Sequence, residues 1–151
     1  MMDWARQINI KTPVEIEIMQ EAGRINATVH ATVRELLKPG VTTAELNAAA
    51  EEVLRKHNAV SPFKNYPGPY PYPASITVCI NEELVHGIPS KKRKLKEGDI
   101  VSVDCGTVFG GFVADSAFSA GVGKLSSESQ RLLDVTEGAL TAGIDKMRAG
   151  N

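Results

Sequence analysis

Apolar residues recur at steps of three and four through Ile18, Ala22, Ile25, Val29, Val33 and Leu36, a spacing that only a helix gathers onto one face. The start of that helix is marked by Thr12-Pro13-Val14-Glu15, with a capping Thr, Pro at the first helical position and Glu three residues after the cap. Lys38-Pro39-Gly40 ends it, so the pattern predicts a helix from Pro13 to about Leu37. Thr42 and Glu45 repeat the device and open a second helix to about His57, with Leu46, Ala49, Ala50, Val53 and Leu54 as its buried face. Lys56-His57-Asn58 then sets positive charge at the negative end of the helix dipole, which accounts for His57 without chemistry. Both apolar stripes need something flat to pack on. The runs Ser75 to Ile80 and Asp99 to Ser116, rich in Val, Ile and Phe, predict the strands that supply it. A third capping-box sequence, Ser127-Glu128-Ser129-Gln130, predicts a last helix from about Glu128 to Met147.

The run from Asp99 to Ser116 holds a Gly-Gly pair between two β-type stretches, the signal for a hairpin. With Phe109 and Gly110 as the turn residues, Val108 faces Gly111 and Asp104 falls directly opposite Asp115. Directly opposed residues share a face, with Cβ atoms about 4.5–5.5 Å apart. Two carboxylates so placed repel, and a bound cation is the simplest remedy; a solvated pair on an open sheet face is the alternative. A one-residue slip of register would put them on opposite faces.

At 151 residues and 42% hydrophobic content the chain suits one domain. Charge points to no partner, because 17 basic and 18 acidic residues nearly cancel. Lys91-Lys92-Arg93-Lys94 with Lys96 reads as a solvated loop and not as a nucleic-acid patch, since no aromatic residues interleave it and no second basic cluster accompanies it. No apolar span approaches ~20 residues and no charged-then-apolar leader is present, so neither membrane nor export is expected and the cytoplasm is the default. Cys79 and Cys105 lack metal or disulfide spacing and read as buried thiols. Any metal here would therefore take mainly oxygen ligands, which favours Mn, Fe, Co or Zn-like ions.

Five prolines, three tyrosines and a phenylalanine crowd into Ser61 to Pro73. Their rings suit either the wall of an apolar pocket or the cover of a sheet edge. His86 sits where the chain leaves an ordered element, a place where side chains often face a cleft, whereas His30 lies one position off the first helical stripe and reads as a surface residue. The closing Met147-Arg148-Ala149-Gly150 echoes Leu37-Lys38-Pro39-Gly40, as if a second copy of the plan were beginning.

Taken together, Ala22-Gly23-Arg24, Lys38 to Thr43, Asn81 to Pro89, and Gly98 to Asp104 with Asp115 resemble the type I methionine aminopeptidases over essentially the whole chain. The resemblance implies an α/β (α+β) architecture, the N-terminal half of a pita-bread fold, with a curved, largely antiparallel sheet and helices on one face. It implies that residues 1–151 are the N-terminal part of a single catalytic domain whose second half is missing, and that the chain alone is inactive and prone to self-association. It also implies two divalent ions (Co, Mn, Fe or Zn), with Asp104 and Asp115 as ligands and Asp115 bridging. His86 would contact substrate and assist the reaction, and Phe63, Tyr66, Tyr72 and Thr77 would line the methionine pocket. The implied activity is hydrolytic removal of N-terminal methionine from nascent polypeptides near the ribosome, by an intact enzyme that works as a monomer. A peptidase of Xaa-Pro bonds (an Xaa-Pro aminopeptidase or prolidase) and a non-catalytic pita-bread binding module are the alternatives. His86-Gly87-Ile88-Pro89 looks like the methionine enzyme.

Overall fold

Thr12 and Thr42 each cap a helix in the computed structural model, which describes residues 9–151. Helix α1 spans Pro13–Glu35; Glu15 accepts the Thr12 backbone N–H at 2.7 Å and donates its own N–H to the Thr12 hydroxyl at 3.3 Å. Helix α2, Thr43–Lys56, starts on the same reciprocal pair between Thr42 and Glu45. Helix α3, Ser127–Asp145, is capped one residue earlier than predicted, because Ser126 is the residue with extended backbone and its hydroxyl accepts the Ser129 N–H at 3.0 Å. Gln130, expected to close a capping box, reaches forward to Asp134 instead. No helix among the described residues is long and apolar enough to cross a membrane.

Strands β1 (Ile76–Ile80), β2 (Ile100–Phe109) and β3 (Phe112–Gly121) form an antiparallel sheet in the order β1-β2-β3. Alternation along the strands divides it into two unlike faces. Ile76, Val78, Val101, Val103 and Cys105 point to α1 and α2 and pack with Ile25, Val29, Val33, Leu46 and Ala50 into the core. The opposite face carries Thr77, Asp104, Gly106 and Asp115. Helices α1 and α2 thus lie on one side, leaving the other clear of them.

The hairpin turns one residue later than the sequence pattern predicts. Gly110 and Gly111 occupy the turn, with φ of +56° and +83°, and Phe109 pairs with Phe112. A two-residue turn that follows the strand twist needs positive φ at both positions; two glycines adopt this freely, whereas Phe109 would be strained. Every β2 residue is consequently paired two positions further along β3. Asp104 faces Ala117, and Asp115 faces Gly106. An offset of two preserves the side-chain alternation, so both aspartates still share a face, as diagonal neighbours instead of an opposed pair.

One buried side chain from α1 joins the two strands from behind. Asn26, 2% exposed, donates to the Cys105 carbonyl at 2.6 Å and to the Thr107 hydroxyl at 3.2 Å, and accepts from the Ser116 hydroxyl at 2.5 Å. Each aspartate therefore has a sequence neighbour tied to the same amide. Replacing Asn26 with Leu leaves that carbonyl and hydroxyl without their partner, and should lower unfolding free energy by about 1–3 kcal/mol, against about 1 kcal/mol for Thr12→Ala at the α1 cap. Urea denaturation followed by circular dichroism measures both.

Helix α3 stands apart, with no buried residue; Leu132, Val135, Leu140 and Ile144 are all more than half exposed. An apolar helix face of this kind favours association. The 151-residue chain is expected to sediment as concentration-dependent oligomers, and Leu132→Glu with Val135→Glu to shift it toward monomer.

Candidate functional site

On the sheet face away from the helices, Thr77 lies directly across from Asp104 on the β1–β2 ladder, and Asp115 is one diagonal step from Asp104 on β3. The two carboxyl groups interact across that step, and Asp104 is pushed from the ordinary 3.8 up to about 6. Burial is the largest cause and the negative charge of Asp115 the next, while His86 acts in the opposite sense.

The remaining walls come from two loops. Val60 pairs with Val108 through two backbone hydrogen bonds of 3.1 and 2.8 Å, which carries the following Ser61-to-Pro73 segment across the sheet. Pro62 and Phe63 there lie against Gly106, the residue opposite Asp115. Helix α2 holds the loop at both ends: Glu51 pairs with Lys64 near its start, and Asn47 accepts the Ser75 N–H at 2.8 Å just past its close. The Tyr72 hydroxyl donates toward the carbonyls of Ile76 (3.0 Å) and Gly87 (3.1 Å), and burial pushes its pKa up to about 12, which keeps it a neutral donor. Phe63, Tyr66, Tyr72 and Thr77 surround a cavity of about 430 Å³, onto which His86, Asp104 and Asp115 also open. All seven sequence-predicted site residues thus meet at one place, and the Pro-Tyr loop is a pocket wall. Tyr70, by contrast, is 91% exposed and takes no part in it. A larger hollow of about 730 Å³ beside the end of α3 is open surface without convergent acids, so size alone does not mark the site.

His30, expected at the surface, is half-buried. Its Nε2 lies 3.1 Å from the Ser116 hydroxyl and its ring meets Phe118 edge-on, and burial holds the imidazole below its usual pKa. The helical stripe is wider than the sequence pattern suggests because β3 extends the sheet beneath it. Arg93, read as part of a solvated basic run, is only 24% exposed at its side chain and bonds two backbone carbonyls. Apart from being the arginine of the run, nothing in the local sequence marks it as the residue that turns inward.

Two convergent carboxylates, one with a raised pKa, are the hard-oxygen donor set of a divalent cation site. They do not complete one. Among the described residues no group of three or more His, Cys, Asp or Glu is arranged to hold a metal ion. The pair fits a metal as part of a shell that needs further donors. Cys79 and Cys105 are buried free thiols and contribute none.

Residues 17–151 match the sequence family described as metallopeptidase family M24. The methionine aminopeptidase of Clostridium acetobutylicum is 45% identical over 144 residues, covering 95% of this chain and 56% of that protein. The crystal structure of the Thermotoga maritima methionine aminopeptidase superposes with a TM-score of 0.87 at 38% identity, over 93% of this chain and 55% of that one. A Xaa-Pro dipeptidase from Bacillus anthracis shares the fold more distantly, with a TM-score of 0.77 and 26% identity over 94% of this chain and 38% of that one. The architecture is that of the pita-bread peptidases, and the chain spans about half the length of the curated relatives it matches.

The raised Asp104 pKa sets the sign of a stability change. Between 3.8 and about 6 the folded chain holds this proton more tightly than the unfolded chain, so the group's contribution falls as pH rises through that window and the loss is complete above it. In chelator, Asp104→Asn should therefore raise the urea midpoint relative to wild type at about pH 7.5, with the gap closing near pH 4. Equal midpoints at both pH values would contradict the electrostatic account.

Proposed function

The chain belongs to metallopeptidase family M24, whose chemistry uses divalent metal ions, and on that premise we propose that its pocket takes part in hydrolytic removal of N-terminal methionine from polypeptides. The observation that carries the proposal is the meeting of His86, Asp104 and Asp115, from three separate segments, at the mouth of one aromatic-walled cavity. Asp104 and Asp115 would hold two divalent ions, with Asp115 shared between them and the metal drawn from Co, Mn, Fe or Zn. Bound there, such ions supply Lewis-acid polarisation of the scissile carbonyl and a lowered pKa for the attacking water.

The chain's own residues do the rest. Phe63, Tyr66, Tyr72 and Thr77 give an unbranched thioether side chain a mainly apolar seat, which places the first peptide bond above the acids. His86, at the cavity edge, donates a hydrogen bond near the scissile amide and stabilises charge as it develops on the carbonyl oxygen. This reading places the protein in the cytoplasm, with the intact enzyme acting as a monomer on the N-termini of new chains near the ribosome.

Two experiments test it. Isothermal titration of the 151-residue chain with Mn or Co is expected to show weak binding that Asp115→Asn abolishes; tight binding of two ions would contradict the incomplete donor set. In the protein extended to the length of its relatives, Met-Ala-Ser should be cleaved and Gly-Pro peptides should not, and His86→Ala should cost about 10²–10³ in rate. Preference for Gly-Pro would favour the Xaa-Pro reading, and metal binding without cleavage a binding module.

A further inference from the structure

Strand β1 is an edge of the sheet, yet the backbone groups of Ile76, Val78 and Ile80 that do not pair with β2 are all occupied. The Ile76 N–H donates to Asn47 at 3.4 Å and its carbonyl accepts from the Tyr72 hydroxyl. The Val78 N–H donates to the Gly87 carbonyl at 2.9 Å. The Ile80 N–H donates to the Glu83 carboxylate at 2.8 Å, and its carbonyl accepts the Glu83 N–H at 3.2 Å. The Val78 carbonyl is left, and Arg93 takes it: one guanidinium nitrogen donates to Val78 at 3.1 Å and to the Ile88 carbonyl at 2.9 Å, while the other pairs with Glu83.

His86 lies inside the loop this closes. Its φ of +59° is left-handed, a conformation a side chain adopts only when its surroundings impose it. On one side of His86 the chain is held at Glu83. On the other it is held at Gly87, whose backbone sits so close to the Val78 carbonyl that a Cβ there has no room, and at Ile88. Both holds converge on Arg93. Arg93 is itself anchored, because its carbonyl accepts the Thr43 N–H at 2.9 Å in the first turn of α2, and Ser90 and Thr43 exchange two more hydrogen bonds.

We propose that Arg93 is the positioning residue for His86: its guanidinium takes the place of a neighbouring strand along the β1 edge, and Glu83 aims it. The acceptors are divided between the two terminal nitrogens of the guanidinium fork, one facing the Val78 and Ile88 carbonyls and the other Glu83; a Lys carries its donors on a single atom and cannot take up both nitrogen positions at once. The functional importance of this clamp rests on the reading of His86 as the substrate-contacting residue, but the clamp itself is tested without catalysis.

The test uses the isotope-labelled 151-residue chain and its Arg93→Lys, Arg93→Ala and Glu83→Gln variants. In wild type, the His86 ring should show through-space NMR contacts with Thr77 or Tyr72, and the Val78 amide should be protected from exchange. Arg93→Lys should lose the His86 contacts and speed Val78 exchange about 10- to 100-fold, the equivalent of one charge-assisted bond, while Val101 and Val103 in the central strand stay unchanged. Glu83→Gln should do the same in smaller degree, and ethylguanidinium should restore both signals in Arg93→Ala. Retained His86 contacts with unaltered Val78 exchange in Arg93→Lys would overturn the proposal, as would equal acceleration at Val101 and Val103, which would mark Arg93 as a general stabiliser. Should Arg93→Ala fail to fold, the Lys and Gln variants decide. Absence of Met-Ala-Ser cleavage in the extended wild-type protein would count against the peptidase reading alone and leave these signals intact.

Discussion

Repulsion between Asp104 and Asp115 is the constraint around which the structure is arranged. Like charges on one sheet face destabilise it, and a chain under pressure for stability alone would place a neutral residue at one of the two positions. Here the strain is held in place from several directions: a glycine turn that sets the strand register, an amide from α1 tied to both strands, and a helical layer that covers only the other face. Burial first, and the negative charge of Asp115 after it, raise the pKa of Asp104, and a divalent cation is the partner that would offset both.

The pocket shows how an irregular segment can be made rigid without regular structure. The Pro-Tyr loop leaves the β2 edge at Val60, crosses the face over Gly106 and returns to α2 through Asn47 and Glu51. The loop carrying His86 is held at the β1 edge by side chains that stand in for a strand. A sheet edge is ordinarily a hazard, because its unpaired groups invite association. At this edge the groups that would invite a partner are spent on positioning a histidine.

Membership of an M24 family and a span of about half its relatives' length agree with the distribution of burial. The helical side of the sheet is a packed core. The side bearing Asp104 and Asp115 is open: Asp115 and His86 are exposed, and α3 buries nothing. Two carboxylates converge on that side, and among the described residues no third His, Cys, Asp or Glu joins them in an arrangement that could hold a metal ion.

Much of the fold was legible in residue order because its determinants are local. Thr12, Thr42, their glutamates and the helical stripes announced α1 and α2, and the apolar runs around Asp104 and Asp115 announced the hairpin. The shared face of the two aspartates also followed from sequence, since side-chain alternation survives any even offset; their diagonal placement did not, because it turned on which two residues could take positive φ at the turn. Asp104 and Asp115 stand out through the hairpin pattern and His86 through its place at the end of an ordered element, whereas Phe63, Tyr66, Tyr72 and Thr77 stand out through motif resemblance, which does not depend on knowing where a side chain points. Only the tertiary structure showed that Asn26 joins both strands from behind, that β3 covers His30, and that Arg93 differs from the lysines beside it. Each of those facts depends on contacts between segments far apart in the chain, and a neighbourhood made by folding leaves no periodicity for a sequence to display.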